Sequence, residues 1–400
     1  MSYHKETMNF LDDIESGLIS HFPLVKSPNT DVLSKLGKCI PLGKSLYMAV
    51  GGNSGSGKTA IVDSEFVIKV YFWWKRNRDN LSIKPFWIYR SMERPTKFKI
   101  AKWICLLIYI EHNIVIDVPT FFGFPNKIRE LSAEEKKLTR SYEKWFEHEF
   151  EKHIIIFSGA ENPTGIRNTL LKFYRNRGKE YFAGENYISL NGNKVKTFTK
   201  VHRDPETKLY FEVLDGEKIF QYDHKYIPDD KELLVIQITD HINALKSERG
   251  LNDKGLIDKH SEYCREFRDI FETFVINISQ FNRGQEDSTR KYKGELDVLE
   301  SDFKGSSSTY EDADIVLGMI NPYKSGETRR YRGYDINKSV HNGYNRFRML
   351  KLLKNSYGVD DIRIGYGFLG EMGLMMELPK ASEMTDYHYD ALKNSQFFNL

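Results

Sequence analysis

Leu46-Tyr47-Met48-Ala49-Val50-Gly51-Gly52-Asn53-Ser54-Gly55-Ser56-Gly57-Lys58-Thr59-Ala60-Ile61-Val62 carries the first decisive signal in this chain. Leu46 to Val50 has the length and apolar character of a buried strand, and the run that begins Ala60-Ile61-Val62 suits a helix. Between them, Gly52 to Thr59 satisfies G-x-x-x-x-G-K-[ST], the phosphate loop. Its glycines let the backbone curl until successive N–H groups face one anion, and the helix amino terminus adds its partial positive charge. Lys58 then reaches the terminal phosphates and the Thr59 hydroxyl holds magnesium. Gly52, Asn53, Ser54, Gly55, Ser56, Gly57, Lys58, Thr59 and Ala60 are therefore expected to bind ATP with Mg2+.

Outward from this loop, short apolar runs alternate with helical segments. Strands are expected at Phe86 to Tyr89, Ile154 to Phe157, Leu233 to Ile238, Phe274 to Ile278 and Ile315 to Ile320, with a terminal hairpin near Phe347 to Leu353 and Ile362 to Phe368. That rhythm predicts an α/β fold with a mainly parallel sheet covered on both faces. Residues 181–230 break it. They alternate apolar and polar side chains around Asn191-Gly192 and Asp215-Gly216, two hairpin signals, and read as an antiparallel insertion. Ahead of the first strand, Met8, Leu11, Ile14, Leu18 and Phe22 recur at helical spacing, a short amphipathic helix. The expected division is residues 1–40 as linker helix and extended arm, 41–380 as the nucleotide-binding domain, and 381–400 as tail.

A magnesium ion at the loop also needs a carboxylate at the end of a neighbouring buried strand, and Asp240 closes Leu233-Leu234-Val235-Ile236-Gln237-Ile238-Thr239. Hydrolysis needs a group to orient or deprotonate water. Glu93 follows the strand after the loop's helix, where a carboxylate could face the terminal phosphate, although Arg94-Pro95-Thr96 can equally open a helix with Glu93 at its start.

Composition bounds the rest. In 400 residues, Lys+Arg 59 against Asp+Glu 56 leaves +3, so any nucleic-acid surface must come from local clustering and a histone-like arm is excluded. Three cysteines far apart in the chain, Cys39, Cys105 and Cys264, fit reduced thiols and no zinc spacing. The polar amino terminus and the short apolar runs give neither signal peptide nor membrane span, and the expected location is cytoplasmic, the host cytoplasm for a viral chain.

These motifs and their order resemble the RecA-like ATPase core of DnaB-family replicative helicases, bacteriophage members included, over roughly residues 40–370. Ser91-Met92-Glu93 stands where that family has Ser-Leu-Glu, which implies Glu93 as catalytic base. His153 to Gly159, leading to Thr164-Gly165-Ile166-Arg167, looks like its third strand and the helix that follows. Ser279-Gln280-Phe281-Asn282-Arg283 matches its Ser-Gln-x-Asn-Arg, which implies that Gln280 senses the terminal phosphate. Ser301-Asp302-Phe303-Lys304 and Asp312-Ala313-Asp314 are similar to its later motifs. Where the family inserts a Lys-x-Arg pair into the neighbouring subunit's site, this chain reads Leu352-Leu353-Lys354-Asn355. Lys354 replaces the arginine, with Arg348 as rival. Of the family's primase-docking domain, only a single helix is expected in these residues.

The resemblance implies a hexameric ring of identical subunits around single-stranded DNA, with replication proteins as further partners and no membrane. Candidate DNA contacts are Arg283, Lys291, Lys293 and Lys304 in one loop, and Lys246 and Arg249 in the polar stretch after Asp240. The first loop also holds Glu286, Asp287, Glu295, Asp297, Glu300 and Asp302, which leaves an ordinary exposed loop as the other reading. The expected function is an ATP-driven DNA helicase. A RecA-like recombinase, an accessory DNA-dependent ATPase and a nucleotide-binding protein whose hydrolysis has decayed stand as alternatives.

Overall fold

The computed structural model describes residues 21–396, apart from 126, 128, 183–186, 191–192, 197–201, 207–209, 215, 221–223, 282–295, 304–306, 328 and 342. The expected amino-terminal helix, the turn residues Asn191, Gly192 and Asp215, and residues 397–400 lie outside the described residues.

Nine strands form the main sheet. In chain order they are β1 (Leu46–Gly52), β2 (Lys84–Ser91), β3 (Ile154–Ser158), β4 (Leu233–Asp240), β5 (Phe274–Gln280), β6 (Ile315–Ile320), β7 (Phe347–Asn355), β8 (Ile362–Leu369) and β9 (Leu374–Glu377). The spatial order is β9-β8-β7-β6-β1-β5-β4-β2-β3. From β6 to β3 every neighbour is parallel, and β7, β8 and β9 continue the sheet antiparallel. All seven residues of β1 are buried, because a central parallel strand is covered on both faces and has no polar side to show.

The crossover helices supply the cover. A continuous helix α1 runs through Lys58–Ile61, Val62–Ile68 and Lys69–Asn77, its middle stretch wound as a π-helix. Helices α2 (Thr96–His112) and α3 (Ala133–His148) share its side of the sheet, while α4 (Pro163–Arg175) and α5 (Asp253–Phe271) lie on the other. Strand β2 shows why both faces hold. Trp87 donates its indole N–H to the Phe66 carbonyl of α1 at 3.0 Å and Tyr89 packs edge-on against Trp103 of α2, whereas Phe86 meets Phe173 of α4. Each aromatic or aliphatic side chain buried this way contributes about 1.5–3 kcal/mol.

The insertion is antiparallel as expected and starts slightly earlier, at Gly178. Gly178–Phe182, Tyr187–Leu190, Asn193–Lys196 and His224–Pro228 form one small sheet, and His202–Arg203, Tyr210–Leu214 and Glu217–Phe220 another.

Two segments are more integral than the sequence suggested. In the arm after residue 20, Phe22, Leu24, Val25, Leu36, Ile40 and Leu42 are buried in the core. Its Phe22 ring sits edge-on to Trp73 of α1 at 5.7 Å. The Lys35 amide donates to the Glu377 carboxylate of β9 at 2.6 Å. The expected tail contains helix α6 (Asp386–Lys393), which buries Tyr389, Ala391 and Leu392. Strand β9 follows the hairpin that sequence patterning predicts and was not itself expected.

Candidate nucleotide site

The site is built at the carboxyl ends of β1, β2, β4 and β5, the edge where parallel sheets place their ligands. The loop from Gly52 leaves β1 and enters α1 at Lys58. Gly55 (φ +78°) and Gly57 (φ +95°) are left-handed, a backbone that side chains resist. A Cβ on Gly57 would lie 2.3 Å from the Met375 Cε of β9, and one on Gly52 would lie 2.3 Å from the Ser56 hydroxyl. Gly52 is thus favoured by space, Gly55 by its backbone, and Gly57 by both.

Around this loop a cleft is lined by Ser54, Gly55, Gly57, Lys58, Thr59 and Ala60 together with Ser91, Glu93 and Asp240. Thr59 donates its hydroxyl to Asp240 Oδ1 at 3.0 Å. Two oxygen donors from separate elements therefore meet at one point, a donor set that suits Mg2+ held chiefly by phosphates. Burial pushes the Lys58 ammonium below its ordinary range, Glu93 and Asp240 pull it back, and Lys324 pushes it further down. Glu93 faces the cleft from the turn before α2, its side chain 56% exposed and so open to water.

Gln280 stands opposite Gly52 in the parallel ladder of β1 and β5. Its backbone N–H donates to the Asn243 side-chain oxygen at 2.8 Å. The sequence-predicted Lys58, Thr59, Asp240, Glu93 and Gln280 are therefore brought together on one edge of the sheet.

Other expected residues are not. Lys354 sits at the far end of β7, beside Val316 near the start of β6, on the edge opposite its own phosphate loop. Its ammonium donates to the Glu311 carbonyl at 2.8 Å. Arg348, the rival for the trans-acting role, is corrected by its position. It is buried within its own subunit, its NH1 donating to the Asn345 and Phe347 carbonyls at 2.8 and 2.7 Å. Its guanidinium lies over the Phe368 ring at 4.6 Å, and burial lowers it to about 9. A side chain enclosed beneath its own loop cannot reach another protomer. Lys246 and Arg249 are exposed after Asp240. Arg283, Lys291, Lys293 and Lys304 lie outside the described residues.

Asp302, Phe303 and Asp314 of the later motifs hold the fold. Asp302 accepts from the Leu299 amide at 2.8 Å, and Asp314 accepts from the Tyr47 amide at 2.8 Å and from Arg268 at 3.0 Å. Phe303 packs against Phe281, ring centres 5.0 Å apart.

Several site residues had no sequence assignment. Asp63 of α1 and Lys99 and Lys102 of α2 line the cleft, as do Arg94, Phe98 and Phe368. Lys324 donates to the Ser54 carbonyl at 2.8 Å, and buried His241 lies 3.7 Å from Glu93. Three lysines, Lys97, Lys99 and Lys102, in the first two turns of α2 were the one signal available, and the sequence does not single out the two that face the cleft.

No protein-family model matches the sequence, and no curated protein matches it significantly. Solved structures do share the architecture. One, described as an ATPase domain, is 14% identical, with a TM-score of 0.60 over 94% of this chain and 99% of that one. The fold is that of a RecA-like α/β core. A DnaB-like replicative helicase, solved with its interactions with primase, is also 14% identical, with a TM-score of 0.58 over 93% of this chain and 67% of that one. A RecA-like core accounts for the phosphate loop at the central strand and for the antiparallel strands β7 to β9 beyond β6. Among the described residues no helix is long and apolar enough to cross a membrane.

Proposed function

We propose that this chain is an ATP-dependent DNA helicase of the DnaB-like type, hydrolysing ATP at seams between identical subunits while tracking single-stranded DNA through a ring. The observation that carries the reading is the placing of Gln280. It ends β5 level with Gly52, and the Phe281 amide donates to the Gly52 carbonyl at 3.3 Å. The phosphate loop and the root of the segment holding Arg283, Lys291 and Lys293 thus belong to one rigid ladder, which is what coupling nucleotide state to a DNA-contacting loop requires.

Within the site each residue has work suited to its position. The loop amides and Lys58 bind and orient the triphosphate, and Mg2+ when bound neutralises charge on its oxygens. Thr59 and Asp240 would hold the ion. Glu93, open to water and in front of Lys58, orients or deprotonates the attacking water. Lys354, turned away from its own loop, is offered to the next subunit, where an ammonium stabilises charge on the transferring phosphoryl group without the planar fork of arginine. Lys246, Arg249 and Lys304 add phosphate contacts.

The test combines purified protein, ATP, Mg2+ and a single-stranded oligonucleotide. Turnover that rises with the strand and closed six-membered rings in electron microscopy are expected. A lone protomer whose turnover ignores the strand overturns the motor reading, and continuous helical filaments would favour a strand-exchange protein.

A further inference from the structure

Asp240 has a second neighbour that a metal site does not ordinarily contain. While its Oδ1 accepts from Thr59, its Oδ2 lies 3.4 Å from the Lys99 ammonium and 3.3 Å from the Tyr89 hydroxyl, which has Asp63 as its shorter acceptor at 2.9 Å. Lys99 also donates to Asp63 at 3.2 and 3.1 Å and to Tyr89. Lys99, Asp63 and Asp240 are only 6%, 4% and 7% exposed. Asp63 is brought here by the π-helical stretch that begins one residue earlier, a local widening often found at functional sites.

The charges decide what this cluster does. Two buried carboxylates against one ammonium leave an excess negative charge, and Lys102, which also lines the cleft, offsets it. A bare divalent ion approaching Asp240 would be offered one carboxylate and one hydroxyl while facing an ammonium already seated on that carboxylate. At such separations with little water between, like charges repel strongly. Among the described residues no three His, Cys, Asp or Glu side chains form an alternative cage. A triphosphate changes the balance, because its oxygens supply the remaining ligands and charge, and Lys99 already leans toward Asp63, which can keep it.

We infer that Lys99 is an internal cation standing in for the metal on Asp240, so that a divalent ion enters this site only together with the nucleotide. The inference rests on the reading of Thr59 and Asp240 as the metal-holding pair. It makes Lys99 a positioning residue that sets the order of binding, with Asp63 as the acceptor that receives its ammonium.

Electron paramagnetic resonance of Mn2+ tests it, because protein-bound Mn2+ loses the sharp signal of the free ion. The wild-type protein is expected to leave that signal unchanged alone and to quench it when ATP is added. Lys99→Met keeps the length of the side chain and removes the charge, leaving Asp63 and Asp240 without their cation. It is expected to bind Mn2+ without nucleotide at least ~tenfold more tightly than wild type does, a modest ratio for two carboxylates freed from an ammonium. A folded Lys99→Met protein that binds ATP with Mn2+ yet takes up no Mn2+ alone overturns the inference and leaves the site reading standing. Should that variant fail to fold, Asp63→Asn serves. Lys99 then has Asp240 as its one anion, and Mn2+ affinity in the presence of ATP should fall ~tenfold relative to wild type. Unaltered Mn2+ affinity there also overturns it. Wild-type protein that takes up no Mn2+ even with ATP removes the metal-site reading itself.

Discussion

Gln280 and Gly52 stand abreast in adjacent parallel strands, and the residue after Gln280 is hydrogen-bonded to Gly52. The Gln280 side chain is not among the residues that line the cleft around the phosphate loop, so nucleotide binding is expected not to depend on its carboxamide. Gln280→Ala should therefore bind ATP within about threefold of wild type and lose its stimulation by single strands, since the polar side chain at the strand end is gone while the backbone ladder to the loop remains. Steady-state ATPase with and without oligonucleotide, beside equilibrium nucleotide binding, separates the two effects.

Glu93 differs in kind from Lys58, because it faces the cleft without enclosing the loop. Glu93→Gln should leave ATP affinity nearly unchanged and lower turnover by roughly 10²–10⁴-fold, the usual span for a lost general base. Equal losses in binding and turnover would show that the carboxylate merely shapes the site.

Gly57 carries two separate constraints, a left-handed backbone at φ +95° and the Met375 methyl 2.3 Å from where a Cβ would sit. Gly57→Ala is expected to cost about 1–3 kcal/mol and to impair nucleotide binding. Adding Met375→Ala removes the collision and leaves the backbone strain, so recovery of the melting temperature should be partial. Full recovery would mean that the strain is negligible.

His260 of α5 is fully buried, and burial lowers it to about 4, with Arg90 adding to the effect and the Asn277 hydrogen bond opposing it. Its folded value lies below the unfolded one, so the unfolded chain binds the extra proton first. The associated stability is complete above pH ~6.5 and is lost as pH falls toward 4, amounting to about 3 kcal/mol if the full shift is realised. Denaturant midpoints across that window should slope less in His260→Gln than in wild type.

Arg348 is a buried cation whose Nε has no hydrogen-bond partner among the described residues. Replacing such a group with an apolar one of similar reach is often neutral or stabilising. Arg348→Met should melt no lower than wild type, yet bind ATP several-fold more weakly, because a positive charge beneath the phosphate loop is removed. Thermal shift and nucleotide titration on the same sample distinguish these outcomes.

The chemistry-bearing residues that were legible in the sequence sit at element ends. Gly52, Asp240 and Gln280 each mark where an apolar strand stops and Lys58 marks where the next helix opens, and those boundaries are visible along the chain. Lys99, Asp63 and Lys324 were not legible, because their meaning comes from what lies across the cleft. A lysine in a helix reads as solvated until the helix is known to bury that face. Arg348 misled for the same reason. As a charged residue in an otherwise largely apolar strand it was the rival to Lys354, whereas β8 and β9 extend the sheet beyond β7 and enclose it. The arm after residue 20 was read as a linker because its apolar residues are spaced irregularly, with no helix or strand period to announce burial.

Strand β9 has two attachments. At Glu377 it accepts from the Lys35 amide of the arm, and at Met375 its backbone meets the Ser64 hydroxyl of α1 while its methyl abuts Gly57. The arm and the nucleotide pocket therefore grip opposite ends of one short rod. Tension applied to the chain upstream of Lys35 arrives at the base of the phosphate cradle without passing through a loop, and a load on the cradle travels back along the same rod.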